Sequence, residues 1–397
     1  MLKGKNVILG VTGSIAAYKI AGLASLLMKQ QANVTVIMSK NATNFIHPTT
    51  FETLTGNKCL IDTFDRNFQY NVEHVAMAKK ADVFLVAPAS ANVIAKLANG
   101  LADDMLTTTF LACTCTKIVA PAMNTNMFLN PIVQDNIGKL EHYGIEIITP
   151  ASGYLACGDT GIGKMPEPEL LMEYILKSAA FTKDLDGKHI LITAGATQEK
   201  IDPVRFISNH STGKMGYELA RACAYRGANV TLISGKTHLA PPLFVHTVFV
   251  TSAKEMFEEV KEYAKNADII IKAAAVADYR PKHIFDEKVK KKDGNLSMEL
   301  ERTDDILYYL GKNKKNNQFL CGFSMETENM IENSKQKMEK KNLDMIVANN
   351  LKQEGAGFGT ETNAVTLLSK EEIIQIPLMS KFEAAIKILD EIKKKIK

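Results

Sequence analysis

The chain has 397 residues, 46% of them hydrophobic and 23% charged, which suits two ordinary globular domains and excludes an intrinsically disordered polypeptide. Its net charge of +4 is too small to argue for nucleic acid, and lysine runs such as Lys290-Lys291-Lys292 suit a solvated face or a polyphosphate ligand. Six cysteines without a Cys-x-x-Cys pair signal neither a zinc site nor a disulfide framework and point to a reducing, cytoplasmic compartment, and no stretch reaches the roughly 20 apolar residues of a membrane span.

In chain order, residues 6–12 read as a buried strand, Gly13-Ser14 as a turn and residues 15–30 as a helix. Residues 33–38, 82–87, 118–120 and 145–149 read as further strands. A short helix over 169–178 follows Pro166 and Pro168, and a polar segment near 181–187 marks a domain boundary. The second half begins in the same way, with strands at 189–194, 229–234 and 268–274 and a helix at 215–226. Alternation of this kind implies an α/β fold of two Rossmann-like domains, each with a parallel sheet covered on both faces. Two short echoes support similar units: Ala32-Asn-Val-Thr-Val-Ile returns as Ala228-Asn-Val-Thr-Leu-Ile, and Ala78-Lys-Lys-Ala-Asp-Val as Ala264-Lys-Asn-Ala-Asp-Ile. Residues 283–295 are highly charged and read as a mobile loop. Phe382, Ile386, Leu389 and Ile392 recur at helical spacing, so the C-terminal segment reads as an amphipathic helix packed on its own domain.

Several first-half motifs sit at strand ends. Gly10-Val-Thr-Gly13-Ser14 joins a strand to a helix whose free N–H groups suit a phosphate. Its glycine spacing is not the dinucleotide pattern, so a mononucleotide fits better than NAD and a dehydrogenase is disfavoured. The small-residue loop Ala87-Pro-Ala-Ser90-Ala91-Asn92 follows another strand at the sheet edge where such folds bind ligands. His74, the amide of Asn124 in Pro121-Ala-Met-Asn124-Thr-Asn-Met127, and Cys157 in a glycine-rich segment spanning Gly153 to Gly163 complete the set. Such a segment suits a lid. Together and in this order these elements resemble the flavin-dependent cysteine decarboxylases, most specifically phosphopantothenoylcysteine decarboxylase, over nearly all of residues 1–180. The resemblance implies a flavodoxin-like domain over 1–182, with His74 as the catalytic histidine, Asn124 holding the substrate carboxylate and Cys157 as proton donor. It places FMN near Gly13, Ser14, Ser39, Ser90, Ala91 and Asn92, at a contact between subunits of a trimer. The chemistry calls for a flavin: oxidising the cysteine thiol to a thioaldehyde, with the hydride passed to the cofactor, supplies an electron sink beside the bond to CO2. The remaining cysteines (59, 113, 115, 223 and 321) read as packing residues.

In the second half, Asp202-Pro-Val-Arg205-Phe-Ile-Ser-Asn209 and Ala273-Ala274-Ala275-Val-Ala-Asp278 also sit at strand ends, and Lys337 and Lys341 share one helix face. This half resembles phosphopantothenate–cysteine ligase over about 186–397. The resemblance implies that Asn209 handles an acyl-nucleotide intermediate with Arg205 beside it, that Asp278 reads a cytosine nucleotide, and that Lys288 activates from a flexible loop. It gives nucleotide contacts to Phe323, Lys337 and Lys341, and places Ala273, Ala274, Ala275, Asp305 and Ile306 in the substrate site. Two motifs depart from the family pattern. Thr303-Asp304-Asp305-Ile306 replaces Asn-Pro-Asp-Ile, and Gly322-Phe323-Ser324-Met325-Glu326-Thr327 carries serine where alanine is usual. The two resemblances imply consecutive reactions of coenzyme A biosynthesis. Cysteine is first joined to 4′-phosphopantothenate using CTP and Mg2+, and the product is then decarboxylated to 4′-phosphopantetheine. They also imply a dodecamer of trimeric flavin and dimeric ligase domains, with no nucleic-acid or membrane partner. Rival readings are a flavin prenyltransferase, another cysteine-peptide decarboxylase, or a flavin-binding regulatory subunit. The ligase-like second half argues against the first two, and retention of His74, Asn124 and Cys157 against the third.

Overall fold

The computed structural model describes residues 1–64, 73–290, 297–326, 329–350, 355, 357 and 359–396. The chain divides into two compact units, Met1–Thr182 and Lys183–Lys397.

In the first unit the strands Asn6–Val11, Asn33–Met38, Val83–Ala89, Thr116–Pro121 and Glu146–Ile147 form one parallel sheet. Their spatial order is second, first, third, fourth, fifth. Strands buried on both faces read as unbroken apolar runs, and every residue of Val83–Ala89 is buried. Phe84 and Val86 pack with Val93, Ile94, Met105, Leu106 and Phe110 from the helices Ala91–Ala98 and Met105–Ala112. A separate group of helices packs together: Tyr18–Lys29 touches both Pro48–Thr55 and Pro168–Ala179. The helix expected over 15–30 opens with a short 3-10 turn, Ile15–Ala17, capped by Ser14, whose Oγ accepts the Ala16 N–H at 3.3 Å. From the first strand the chain turns one way to the second and the other way to the third. Ligands bind at such a reversal, outside the carboxyl ends of the strands.

The second unit repeats this plan on a larger sheet. Its first six strands in sequence among those of the sheet are His189–Ala194, Asn229–Ser234, His246–Phe249, Ile269–Lys272, Phe319–Glu326 and Met345–Asn350. They lie side by side in the order third, second, first, fourth, fifth, sixth, all paired in parallel. The sheet is not wholly parallel, contrary to the sequence expectation. Thr362–Ser369 and Ile373–Ser380 extend it antiparallel. Only residues 370–372 join these two strands, and so short a connection can produce only a hairpin. The C-terminal helix Lys381–Lys395 opens with a reciprocal Ser380–Glu383 capping box and packs on the helix Lys214–Tyr225. Phe382, Leu389 and Ile392 are buried as the spacing predicts, while Ile386 is half-buried. Residues 283–290 of the charged segment form no helix or strand, and the rest of it, 291–295, lies outside the described residues. Among the described residues no helix is long and apolar enough to cross a membrane.

Candidate active sites

Thr12 ties the two loops at the switch point of the first unit. Its hydroxyl donates to the Pro88 carbonyl at 2.6 Å and accepts the Ser90 N–H at 2.9 Å. Ser90 in turn caps Ala91–Ala98, so the free amides of that helix face the end of the sheet. Gly13 packs against the next loop, where an added Cβ would lie 2.8 Å from Asn41 Cβ. Ser39 donates its N–H to Val11 O at 2.9 Å, while its own hydroxyl is buried without a partner among the described residues. A buried hydroxyl lacking a partner costs about 1–3 kcal/mol. Together with the free amides it suits a polar, phosphate-bearing ligand, so Gly13, Ser14, Ser39 and Ser90–Asn92 fit a flavin mononucleotide.

A second cluster forms at the glycine-rich hairpin of Ala151–Tyr154 and Thr160–Lys164. Asn124 caps the short helix Thr125–Phe128 through its Oδ1 and turns its Nδ2 to Cys157 Sγ at 3.4 Å and Asp159 Oδ2 at 3.2 Å. Cys157 donates its S–H to the same Asp159 oxygen at 3.3 Å. Amide, thiol and carboxylate thus close a triangle. Asp159 was not anticipated from the sequence. Gly158 stands between it and Cys157 at φ 92°, a conformation that favours glycine and reverses the chain so that both side chains converge. The hairpin also lies tight against the Asn124 segment: a Cβ at Gly163 would come within 2.2 Å of Met123 O. Cys157 is the one exposed cysteine, Cys115 is half-buried, and Cys59, Cys113, Cys223 and Cys321 are buried. Burial pushes the Cys59 and Cys223 thiols up to about 12. His74 lies at the start of the helix Glu73–Lys80, half-buried, and no described hydrogen bond joins it to the triangle.

In the second unit the switch point falls between His189–Ala194 and Ile269–Lys272. The loops after these strands are stitched together: Ala273 N to Thr193 O at 3.2 Å, Ala275 N to Gly195 O at 2.9 Å, and Ala277 N to Thr197 Oγ1 at 3.0 Å. A cavity of about 760 Å³ opens beside them. Ten of the expected ligase residues line it: Asn209, Ala273, Ala274, Ala275, Asp278, Asp305, Ile306, Phe323, Lys337 and Lys341. Arg205 and Lys288 are not among the lining residues. Asn209 Nδ2 donates to Ala275 O at 3.2 Å. Asp305 caps the helix Ile306–Lys312 and takes a salt bridge from Lys341 at 2.9 Å. Although burial works against it, the Lys341 and Tyr308 hydrogen bonds leave the Asp305 carboxyl below its ordinary value. Lys337 Nζ donates to Phe323 O at 3.3 Å.

Both departing motifs are anchored by hydrogen bonds. Thr303 donates its hydroxyl to Ala277 O at 2.6 Å and its N–H to Asp278 O at 3.0 Å, tying this segment to the alanine loop. Ser324 shares a buried 2.8 Å hydrogen bond with Ser334, a serine that an alanine at 324 would leave without this partner. Lys272 and Lys381 also line the cavity and were not anticipated. Lys272 ends the run Ile269-Ile-Ile-Lys272, where a polar residue looks like the mere end of a strand. Burial, then the charges of Lys337 and Lys341, lower its ammonium to about 8. Its Nζ donates to Ala274 O at 3.1 Å. Lys381 is buried and donates to the Gly357 and Thr360 carbonyls. Among the described residues no group of three or more His, Cys, Asp or Glu side chains is placed to hold a metal ion.

Two family models cover the chain. "Flavoprotein" matches residues 1–180 and "DNA/pantothenate metabolism flavoprotein C-terminal domain" matches residues 185–396. The chain is 48% identical over 396 residues to "Coenzyme A biosynthesis bifunctional protein CoaBC" of Bacillus subtilis (strain 168), covering 99% of this chain and 97% of the relative. It is 42% identical over 391 residues to the protein of the same name from Haemophilus influenzae, covering 98% of each. Among solved structures, the C-terminal domain of a CoaBC protein is 47% identical, covers 54% of this chain and 97% of its own length, and superposes with a TM-score of 0.47. The chain belongs to the family of bifunctional coenzyme A biosynthesis enzymes, with a flavoprotein domain in its first half and the C-terminal domain of the DNA/pantothenate metabolism flavoproteins in its second.

Proposed function

We propose that the second unit joins cysteine to 4′-phosphopantothenate at the expense of CTP, and that the first decarboxylates the product to 4′-phosphopantetheine. The observation that carries the reading is the gathering of ten expected ligase residues, scattered over 133 positions of sequence from Asn209 to Lys341, around one cavity. A carboxylate is inert toward an amine until activated. Attack of the 4′-phosphopantothenate carboxylate on the α-phosphorus of CTP breaks the bond to pyrophosphate and forms an acyl-cytidylate. The cysteine amine then displaces CMP. Lys337 and Lys341 would offset negative charge as it builds. Mg2+ brought in with the CTP phosphates would need only one or two carboxylates from the protein, and Asp304 in the cavity lining would offer one, with Asp278 left to the cytosine nucleotide. Asn209 would hold the acyl-nucleotide, and Lys288 would act from the neighbouring loop.

In the first unit, FMN when bound supplies a reversible two-electron acceptor for the substrate thiol carbon. Asn124 would orient the departing carboxylate, Cys157 would deliver a proton to carbon once CO2 has left, and His74 would complete the site from the helix Glu73–Lys80. Trimeric flavin units and dimeric ligase units would together make a dodecamer. The exposed apolar side chains of the first unit, such as Ile15, Tyr18 and Ile132, suit burial against other subunits. A cytoplasmic location accords with both cofactor and substrates.

The direct test is mass spectrometry of the purified protein with 4′-phosphopantothenate, cysteine, CTP and Mg2+. Formation of 4′-phosphopantetheine establishes both activities. Accumulation of the cysteine conjugate alone supports only the ligase, and absence of both from folded, FMN-replete protein overturns the reading.

Lys272 gives the ligase a pH signature. A lysine held to about 8 loses its charge on the alkaline side of neutrality. The KM for CTP is expected to rise as pH passes upward through about 8, and Lys272→Met should flatten that limb. The sign for stability is opposite. Because the folded value lies below the unfolded one, the unfolded chain binds more protons between about 8 and the ordinary lysine value of 10.5, and stability rises with pH across that window. At pH 7 Lys272→Met should therefore raise the melting temperature by a few degrees while weakening CTP binding. A KM profile identical to wild type would remove Lys272 from the site.

A further inference from the structure

Asp202 lies in the turn between the strands Gln198–Lys200 and Phe206–Ser208 and is 2% exposed. Its two carboxylate oxygens divide their work. Oδ1 accepts the backbone N–H groups of Val204 and Arg205, each at 2.8 Å, and that suffices to close the turn. Oδ2 accepts Arg205 Nε at 2.9 Å and, from a segment 87 residues away, the N–H of Val289 at 3.1 Å. Arg205 completes the arrangement by donating Nη2 to Val289 O at 2.8 Å. Both backbone polar groups of Val289 are thus held by one ion pair. A third tie, Phe285 N to Ile201 O at 3.0 Å, aligns the same stretch. The Arg205 hydrogen bonds hold the Asp202 carboxyl far below the usual carboxylate range, so the pair stays charged at any working pH.

The residue immediately before Val289 is Lys288, whose side chain is exposed. Oδ1 alone closes the backbone of the turn; Oδ2 and the guanidinium bind each other through Nε and Nη2, and each also reaches the lysine-bearing segment. We infer that Asp202, with Arg205, is a positioning residue for ligation: the pair clamps the Val289 backbone and thereby sets where Lys288 can reach. Arg205 on this account serves the reaction through the loop, consistent with its place outside the cavity lining. The inference rests on the assignment of Lys288 to the ligase reaction proposed above.

Asp202→Asn separates the two jobs. The amide oxygen can still accept the Val204 and Arg205 N–H groups, whereas the amide nitrogen cannot accept from Val289 or Arg205. In the full-length protein the ligation kcat should fall by about 10²-fold, the scale on which misplacing a catalytic group acts. The KM for CTP should change little, and decarboxylation of supplied 4′-phosphopantothenoylcysteine should be unaffected. The decisive readout is a double-mutant cycle with Lys288→Gln. If Asp202 acts through Lys288, the double variant is no slower than Lys288→Gln alone, whereas a merely structural contribution multiplies with it. Val289→Pro removes the N–H from the other side of the clamp and should reproduce the loss and its non-additivity if the Asp202 variant folds poorly. Wild-type kcat in both variants, or losses that multiply, would overturn the inference. An inactive wild-type protein or an unaffected Lys288→Gln would instead overturn the reading beneath it.

Discussion

Cys157→Ser is expected to leave ligation at the wild-type rate and to stop the second reaction after CO2 has departed, with an enethiol accumulating in place of 4′-phosphopantetheine. Loss of CO2 from the oxidised substrate leaves an electron-rich carbon–carbon double bond bearing sulfur, and its reduction to the saturated thiol requires a proton at carbon. Cys157 is the only exposed cysteine, and its S–H is already engaged as a donor, 3.3 Å from Asp159 Oδ2. A serine hydroxyl fits the same space and hydrogen bonds but is a far weaker acid. General acid catalysis typically contributes about 10²–10⁴-fold, and a loss in that range is expected for 4′-phosphopantetheine formation. Cys59 and Cys223 lie outside the triangle, and burial, joined at Cys59 by the charge of Glu52, pushes both thiols up to about 12 and makes them weaker acids. CO2 release and thiol product are measured together on supplied 4′-phosphopantothenoylcysteine. Normal thiol output would remove Cys157 from the role, and loss of CO2 release as well would place its action before decarboxylation.

The parallel cores were legible because strands buried on both faces are short apolar runs bounded by turns. The two sequence echoes acquire a structural meaning. Asn33–Met38 and Asn229–Ser234 each lie beside the first strand of their sheet, and Ala78-Lys-Lys-Ala-Asp-Val and Ala264-Lys-Asn-Ala-Asp-Ile each lead into the strand on its other side. The edge hairpin was not legible. Ile373 and Leu378 are 45% and 47% exposed, so Ile373–Ser380 lacks the burial pattern that announces a strand. The sites divide in the same way. Residues in local motifs, such as Asn209 and Asp278, could be singled out from their neighbours in sequence. Asp159 needed the left-handed turn at Gly158, Lys272 needed the burial of a strand end, and the partnership of Asp202 with Val289 spans 87 residues with no periodic signal. In each case the relevant quantity is proximity through the fold.

Asn209→Asp should carry the largest loss in the other unit. Asn209 reaches across the switch point to donate its Nδ2 to Ala275 O at 3.2 Å, within the loop that lines the cavity. Aspartate has the same shape but only acceptors, so an oxygen would face the Ala275 carbonyl where a donor stood. It would also place a negative charge in a cavity lined by Lys272, Lys337, Lys341 and Lys381, where the proposed reaction handles a nucleotide phosphate. The acyl-cytidylate keeps one charged phosphate where the ribose joins the acyl group, so the variant opposes the intermediate as well as the transition states on either side of it. Removing one donor that meets developing charge typically costs about 10²–10³-fold in kcat, and the added repulsion acts in the same direction. Formation of 4′-phosphopantothenoylcysteine should therefore fall by at least that factor. Supplied conjugate should still be converted to 4′-phosphopantetheine at the wild-type rate, because the triangle of Asn124, Cys157 and Asp159 belongs to the other unit. Pyrophosphate and CMP release, followed in one reaction, locate the defect: loss of both places it in acyl-cytidylate formation, and pyrophosphate release without CMP places it in the attack by cysteine. Equal loss of ligation and decarboxylation would mean a damaged fold, and undiminished ligation would show that the Ala275 contact is architectural and that Asn209 does not touch the reacting groups.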